Sequence, residues 1–470
     1  MGKKLSGNLS INALQLVLNQ ILGLGIFYVL SYGLSKSDFG QLNLALAILL
    51  AAFNVLSLGI DQLIIKKIAS GAAVEDTLSL YVCHVLITGL SFYGVLLAGK
   101  YLFPQLEIYN LVLLIGIGKL MLFFSTPFKQ VANGMEQFNL LAYMSVISNL
   151  VRCVSLLIFG FLHLLSVQTI IIIFIMGDLA ELLGAVFLFK RGTHTRVKIT
   201  WNKRGYIQLL RESLPQTGVV VITSALARFD WIFIGFILSA VKLAEYSFAY
   251  KIFEIATFPM LAIAPLLIPL FTKMFQQKDI AAEKLKFLIR MELIVAAFTA
   301  LILNICWSPL IDRVTSGKYG MVNAKTIFIL SLCMPLLYIN NFLWTISFAQ
   351  GRLKMILSSF IITLVVNVAG DILLIPGYKN EGAAFAFLLS CLAQTIFYCR
   401  KNNISELNNS WYSLLVCTGC ALLSGLAANA ILSNIWLILI ASIFFYLLLL
   451  VLTAQLRLSD RRNFQKLLHW

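Results

Sequence analysis

The chain has 470 residues, of which 60% are hydrophobic and only 12% charged, and its mean hydropathy is +0.91. A water-soluble fold needs more polar surface than this, so the composition excludes one and leaves an integral membrane protein. The net charge of +16 is spread over loops between apolar segments, which points to membrane topology and lipid headgroups and to no nucleic-acid partner.

Taken in order, fourteen apolar spans run at roughly 11–32, 41–60, 78–98, 108–126, 140–162, 166–189, 214–238, 244–270, 291–307, 326–349, 356–376, 383–399, 411–432 and 434–454. Each is about the ~17–25 residues that a membrane helix requires. An open sheet in lipid would leave its backbone unpaired, so the spans are read as helices in an all-α protein. The first is studded with Asn and Gln and lacks a small-residue cleavage site, so it reads as a span and not as a signal peptide. The eight cysteines and four histidines show no metal-ligand spacing and no disulfide framework.

Several spans carry polar residues at helical spacing. The first, with the residues just ahead of it, holds Asn8, Asn12, Gln15 and Asn19. Such a stripe is either interhelical glue or the lining of a wet cavity. The fourth carries Lys119, roughly 16 Å from its far end. In the fifth, Ser145, Ser148, Asn149, Arg152 and Ser155 share one face, and the arginine favours a lining role. Asp178 and Glu181 follow one turn apart in the sixth; they either neutralise Arg152 or Lys119 or bind a coupling cation.

The seventh and eighth spans flank a polar turn at 239–245 and contain four ionisable groups at membrane depth: Arg228 and Asp230, then Lys251 and Glu254. Each costs ~2.5–3.5 kcal/mol or more to insert, so such groups face a cavity or one another. Counting helical rise from the turn predicts Arg228 opposite Glu254 and Asp230 opposite Lys251. These are either two structural ion pairs or the charged wall of a site for an anionic cargo. Pro259, Pro265 and Pro269 are expected to bend the eighth span.

The basic residues orient the chain. With the N-terminus in the cytoplasm, seven of the 36 lie on the outer face and four (Lys119, Arg152, Arg228, Lys251) inside spans, leaving 25 on the cytoplasmic side. The densest segment is 190–211, and both termini are cytoplasmic on this reading.

The chain also repeats itself. A shift of 204 residues lays Ser35–Leu42 on Ser239–Tyr246 and pairs Asn12 with Gln216, Asn19 with Thr223 and Ala45 with Ala249. Six spans, a basic loop and six more imply two parallel half-repeats with a site between them. The expected organisation is an N-terminal bundle at 1–195, a basic linker at 196–212, a second bundle at 213–402, and two extra helices with a basic tail at 403–470.

The stretches LSKSDFGQLNLALAI (34–48), LPQTGVVVITSALARFDWIFIG (214–235), AEYSFAYKI (244–252) and GRLKMILSSFIITLVVNVAGDILLIPGYKNEGAAFAF (351–387) together resemble the polysaccharide-biosynthesis (Wzx-type) flippases. These belong to the multidrug/oligosaccharidyl-lipid/polysaccharide exporter superfamily. The resemblance implies two pseudo-symmetric six-helix bundles in a V with two added helices. It also implies a bacterial plasma-membrane protein that moves undecaprenyl-diphosphate-linked sugar repeat units from the inner to the outer leaflet. A polysaccharide polymerase and chain-length proteins would be its partners. Such a cargo suits Arg152, Arg228, Lys119 and Lys251 as diphosphate ligands, because guanidinium forks match phosphate oxygens. Asp178, Glu181, Asp230 and Glu254 are then counter-charges or sites for a coupling H+ or Na+, and Asn12, Gln15, Asn19 and Asn149 line the cavity. No resident cofactor or metal is expected. A lipid II flippase or a cation-coupled drug exporter of the same superfamily is the competing reading. An enzyme is not expected, since the sequence shows no nucleophile–base pair or phosphate-binding glycine loop and the outer loops are short.

Overall fold

The computed structural model describes residues 2–102, 104–195, 199–276, 282–401, 410–457 and 460; the side chains of 2–13, 107, 261–266, 269, 276 and 282 lie outside the described residues. Its elements are helices throughout, apart from a short 3-10 turn at Met321–Asn323. In chain order they are α1 (Gly2–Gly33), α2 (Lys36–Leu56), α3 (Ile60–Ala69), α4 (Val74–Leu102), α5 (Glu107–Gly134), α6 (Phe138–Phe161), α7 (Val167–Thr193), α8 (Lys203–Ile237), α9 (Ala240–Ala256), α10 (Phe258–Gln276), α11 (Ala282–Val314), α12 (Ala324–Ala349), α13 (Leu353–Lys401), α14 (Ser410–Ile431) and α15 (Ile435–Leu452).

Among the described residues, twelve helices are long and apolar enough to cross a membrane. Two features account for the difference from fourteen expected spans. α13 is two helices merged across a kink, where Lys379 adopts φ 53° and ψ −129°. The eighth expected span is broken into α9 and α10 at Thr257, two residues ahead of Pro259, which has no N–H to continue the α9 ladder and fits the first turn of α10. Large apolar side chains such as Leu97, Leu183, Leu373 and Leu426 point outward, as lipid contact allows and water would not.

The half-repeat has a local physical basis. Ser35 caps α2 by accepting from the Asp38 amide at 3.1 Å. The Ser239 hydroxyl accepts from the Lys242 amide at 3.2 Å, so α2 and α9 both start one residue after a serine cap. That is the register of the 204-residue shift.

The chain divides into two compact units, Met1–Ala244 and Glu245–Trp470. α8, which the sequence reading placed at the head of the second bundle, packs in the first unit on α2, α3 and α4. Lys67 Nζ meets Glu212 Oε2 at 2.6 Å, and the Thr217 hydroxyl donates to the Leu58 carbonyl at 2.8 Å. Gly59, left-handed at φ 69°, lies so close to α8 that an added Cβ would stand 2.5 Å from that of Gln216. Elsewhere in this unit α5 packs on α7, α6 on both α7 and α1, and α4 on α5. In the second unit α12 packs on α10, α11 and α13, while α14 and α15 pack on α11 and on each other. Its core is aromatic: Phe248 stacks on Tyr319 with centroids 4.3 Å apart, and Tyr338, Tyr398 and Tyr446 are fully buried.

The tightest approach in the first unit gives a test of packing. A Cβ on Gly40 would stand 1.8 Å from the Ala240 carbonyl oxygen, and a backbone atom of this kind cannot swing away. Gly40→Ala is expected to cost about 1–3 kcal/mol through overpacking. The midpoint of thermal unfolding followed by size-exclusion chromatography should fall accordingly, and an unchanged midpoint would count against the close approach.

Candidate functional site

The charged residues of the first unit gather in the interior of α5, α6 and α7. Asp178, fully buried on α7, is the hub. The Arg152 guanidinium on α6 donates to its Oδ1, the Ser148 hydroxyl donates to the same oxygen at 3.1 Å, and Lys119 Nζ on α5 lies 3.7 Å from Oδ2. Ser148 and Arg152 are one turn apart on α6, so a single helix face presents both. One turn along α7, Glu181 is 3% exposed and takes Lys129 Nζ at 2.5 Å.

Local sequence makes room for this cluster. A Cβ on Gly177 would come within 2.8 Å of Arg152 Cγ, and one on Gly118 within 2.8 Å of Asp178 Oδ2. Phe174, one turn before Asp178, places its ring 4.4 Å from Arg152 Cζ and 5.9 Å from Lys119 Nζ. A ring face in that position helps hold cations that have lost their water. Three cations here face the carboxyls of Asp178 and Glu181, and Asp61 on α3 also lies within electrostatic reach of Lys129.

Lys129 and Phe174 are absent from the sequence-based site. The fourth span was drawn to end at 126, before Pro127, whereas α5 continues through the proline to Gly134 and brings Lys129 inward. The period of α5 held only a partial signal: Lys129 lies ten residues after Lys119, about 80° short of three full turns.

The asparagine stripe joins helices. The Asn149 amide donates to Asn19 Oδ1 at 2.9 Å, tying α6 to α1. Gln15 is half-buried on α1, and the side chain of Asn12 lies outside the described residues.

Glu254 takes a partner on its own helix. Lys251 Nζ meets Glu254 Oε2 at 2.8 Å along α9, three residues away on the same helix, so Glu254 takes Lys251 where Arg228 was expected. An intrahelical partner is already in reach as the helix forms, which a depth count between two helices cannot see. Asp230, 7% exposed, accepts from the Trp231 amide at 2.8 Å.

Arg228 stands apart. It is half-buried on α8, about 14 Å from the helix end at Ile237. Its guanidinium donates to the Ala227 carbonyl at 2.8 Å and lies 4.5 Å over the Trp231 ring. No carboxylate neutralises it among the described residues. Most of its five donors are therefore available to an anion.

Helices of membrane-spanning length, with a charge cluster inside one unit, define a multi-pass membrane protein. The family described as polysaccharide biosynthesis protein matches residues 5–275, more than half of the chain, and the chain belongs to that family. No curated protein matches the chain by sequence. Solved structures share its fold. The lipid II flippase MurJ in an inward closed conformation aligns with a TM-score of 0.72 at 13% identity, covering 93% of this chain and 97% of that one. An inward-facing multidrug resistance MATE family transporter of the MOP superfamily aligns with a TM-score of 0.66 at 14% identity, over 85% and 99%. A MOP superfamily transporter from Pyrococcus furiosus, described as having a binding pocket of reverse polarity, aligns at 0.59 and 15% identity, over 84% and 94%. The fold is thus that of the MOP transporters, as the motifs led us to expect.

Proposed function

We propose that this protein is a flippase that carries undecaprenyl-diphosphate-linked oligosaccharide repeat units from the inner to the outer leaflet of a bacterial plasma membrane. Its product would feed O-antigen, capsule or exopolysaccharide synthesis. The observation that carries the reading is Arg228, a membrane-embedded guanidinium that no carboxylate neutralises, offered to an anion such as a diphosphate. Lys119, Lys129 and Arg152 place three cations in the same unit, which suits an anionic cargo. Family membership supports the glycan class. The chain is then a transporter and not an enzyme, with both termini cytoplasmic, and hands its cargo to a polymerase and chain-length proteins.

The fold likeness to MurJ favours a second reading, in which the cargo is lipid II. One experiment separates the two. When the gene is depleted in its own host, lipid-linked repeat units should accumulate in the inner leaflet while peptidoglycan synthesis continues. Arrest of peptidoglycan with normal surface glycan would transfer the reading to lipid II, and neither defect would end both. The orientation has its own check. Reporter fusions after Gly192 and Lys401 should read as cytoplasmic and those after Lys100 and Ser316 as external, and the opposite pattern would invert the topology.

A further inference from the structure

The second unit buries an acidic group that none of the ion pairs uses. Glu292 sits on α11, about 15 Å along the helix from Ala282. It is 5% exposed, and both carboxylate oxygens are buried with no hydrogen-bond partner among the described residues. Within electrostatic reach on α12 is Tyr338, whose buried hydroxyl has the Met260 backbone for its neighbour.

Among the described residues, none of the ion pairs supplies Glu292 a compensating charge. α12 carries a single charged residue, Lys325, next to its first residue, far along the helix from Tyr338. α14 and α15 carry none; their polar groups include Cys417, Cys420 and Ser442, and the Tyr446 hydroxyl is already committed to the Ile294 carbonyl at 2.9 Å. α10, packed on α12, contributes Lys273 in its last turn. On α11 itself the charged residues before Glu292 are Glu283, Lys284, Lys286 and Arg290, and Arg290 is held by Asp460 at 2.5 Å; Asp312 and Arg313 lie at the far end. A carboxylate there would hold its charge while buried and without a donor among the described residues, which a low-dielectric interior disfavours.

We infer that Glu292 is a proton-binding site of the second unit, with Tyr338 beside it, and that its proton is the one coupled to transport. Binding converts the carboxylate to a neutral acid, and release to an aqueous path returns the charge. The coupling role rests on the flippase reading; the proton site does not.

The test keeps the two apart. Infrared spectra of the full-length purified protein in lipid nanodiscs at neutral pH should contain a protonated-carboxyl stretch. Glu292→Gln should remove it and Tyr338→Phe should shift it, both in protein that elutes as folded. A spectrum from which Glu292→Gln removes nothing overturns the site. In vesicles loaded with lipid-linked glycan, a proton gradient should raise wild-type translocation severalfold and leave Glu292→Gln unchanged. A gradient response retained by Glu292→Gln overturns the coupling role, as does sodium binding that the substitution abolishes. Wild-type protein that moves no glycan would sink the flippase reading and leave the proton site to the infrared result.

Discussion

Arg228→Ala is expected to abolish glycan export while folded protein stays near the wild-type level. The two halves of that result come from different features of one side chain. Arg228 is half-buried, bonds only its neighbour's carbonyl, and lies over Trp231. Its removal therefore costs the fold about 0.5–2 kcal/mol of cation–π contact. Transport, by contrast, loses the guanidinium that no carboxylate neutralises. Arg228→Lys should retain part of the activity, since charge survives while the bidentate fork is lost. Surface glycan and protein abundance, measured in the same cells, decide the matter. Wild-type export by Arg228→Ala would remove the residue from the site, and loss of folded protein would make it part of the scaffold. Glu254→Gln should leave the environment of Arg228 unaltered, because its partner is Lys251 on its own helix.

Asp178→Asn should act in the opposite way, through the fold. It leaves Arg152, 6% exposed, without its carboxylate and takes the counter-charge from Lys119. Stranding one member of a buried pair costs about 3–5 kcal/mol, a large share of the ~5–15 kcal/mol that holds a typical protein together. Folded protein should fall steeply, seen as loss of the monodisperse size-exclusion peak. Adding Arg152→Gln should restore much of that peak, because the buried charge leaves with its partner. A double mutant as unstable as Asp178→Asn alone would show that the two residues do not act as a pair. Export by the restored double mutant then tells whether Arg152 serves the cargo or only braces α6 against α7.

Much of the architecture is written in local patterns. Span lengths, the serine caps at Ser35 and Ser239, and the 204-residue register follow from hydropathy and capping chemistry, which act over a few residues at a time. The candidate charges were legible as well, since an ionisable residue inside an apolar span is conspicuous wherever it ends up. Asp178 with Arg152 and Lys119 was among the pairings the sequence allowed. What the sequence left open was which of the permitted partners each charge takes. Depth along two helices fixes height but not rotation, so it offered Arg228 and Glu254 as neighbours when Glu254 had Lys251 within its own helix.

Lys129 was lost for a related reason. Pro127 reads locally as a helix end, whereas α5 runs on to Gly134, packed on α7 and α3, and carries the lysine to Glu181. Phe174, Gly118 and Gly177 have no charge to advertise them, and their part in the cluster exists only once three helices stand side by side. Glu292 is the clearest division. The ninth expected span begins at 291, so hydropathy set this carboxyl at the edge of an apolar segment and did not single it out. Only the tertiary structure showed both its oxygens buried with no hydrogen-bond partner among the described residues. Hydropathy is a sum over neighbours in the chain, while the state of a buried charge depends on neighbours in space.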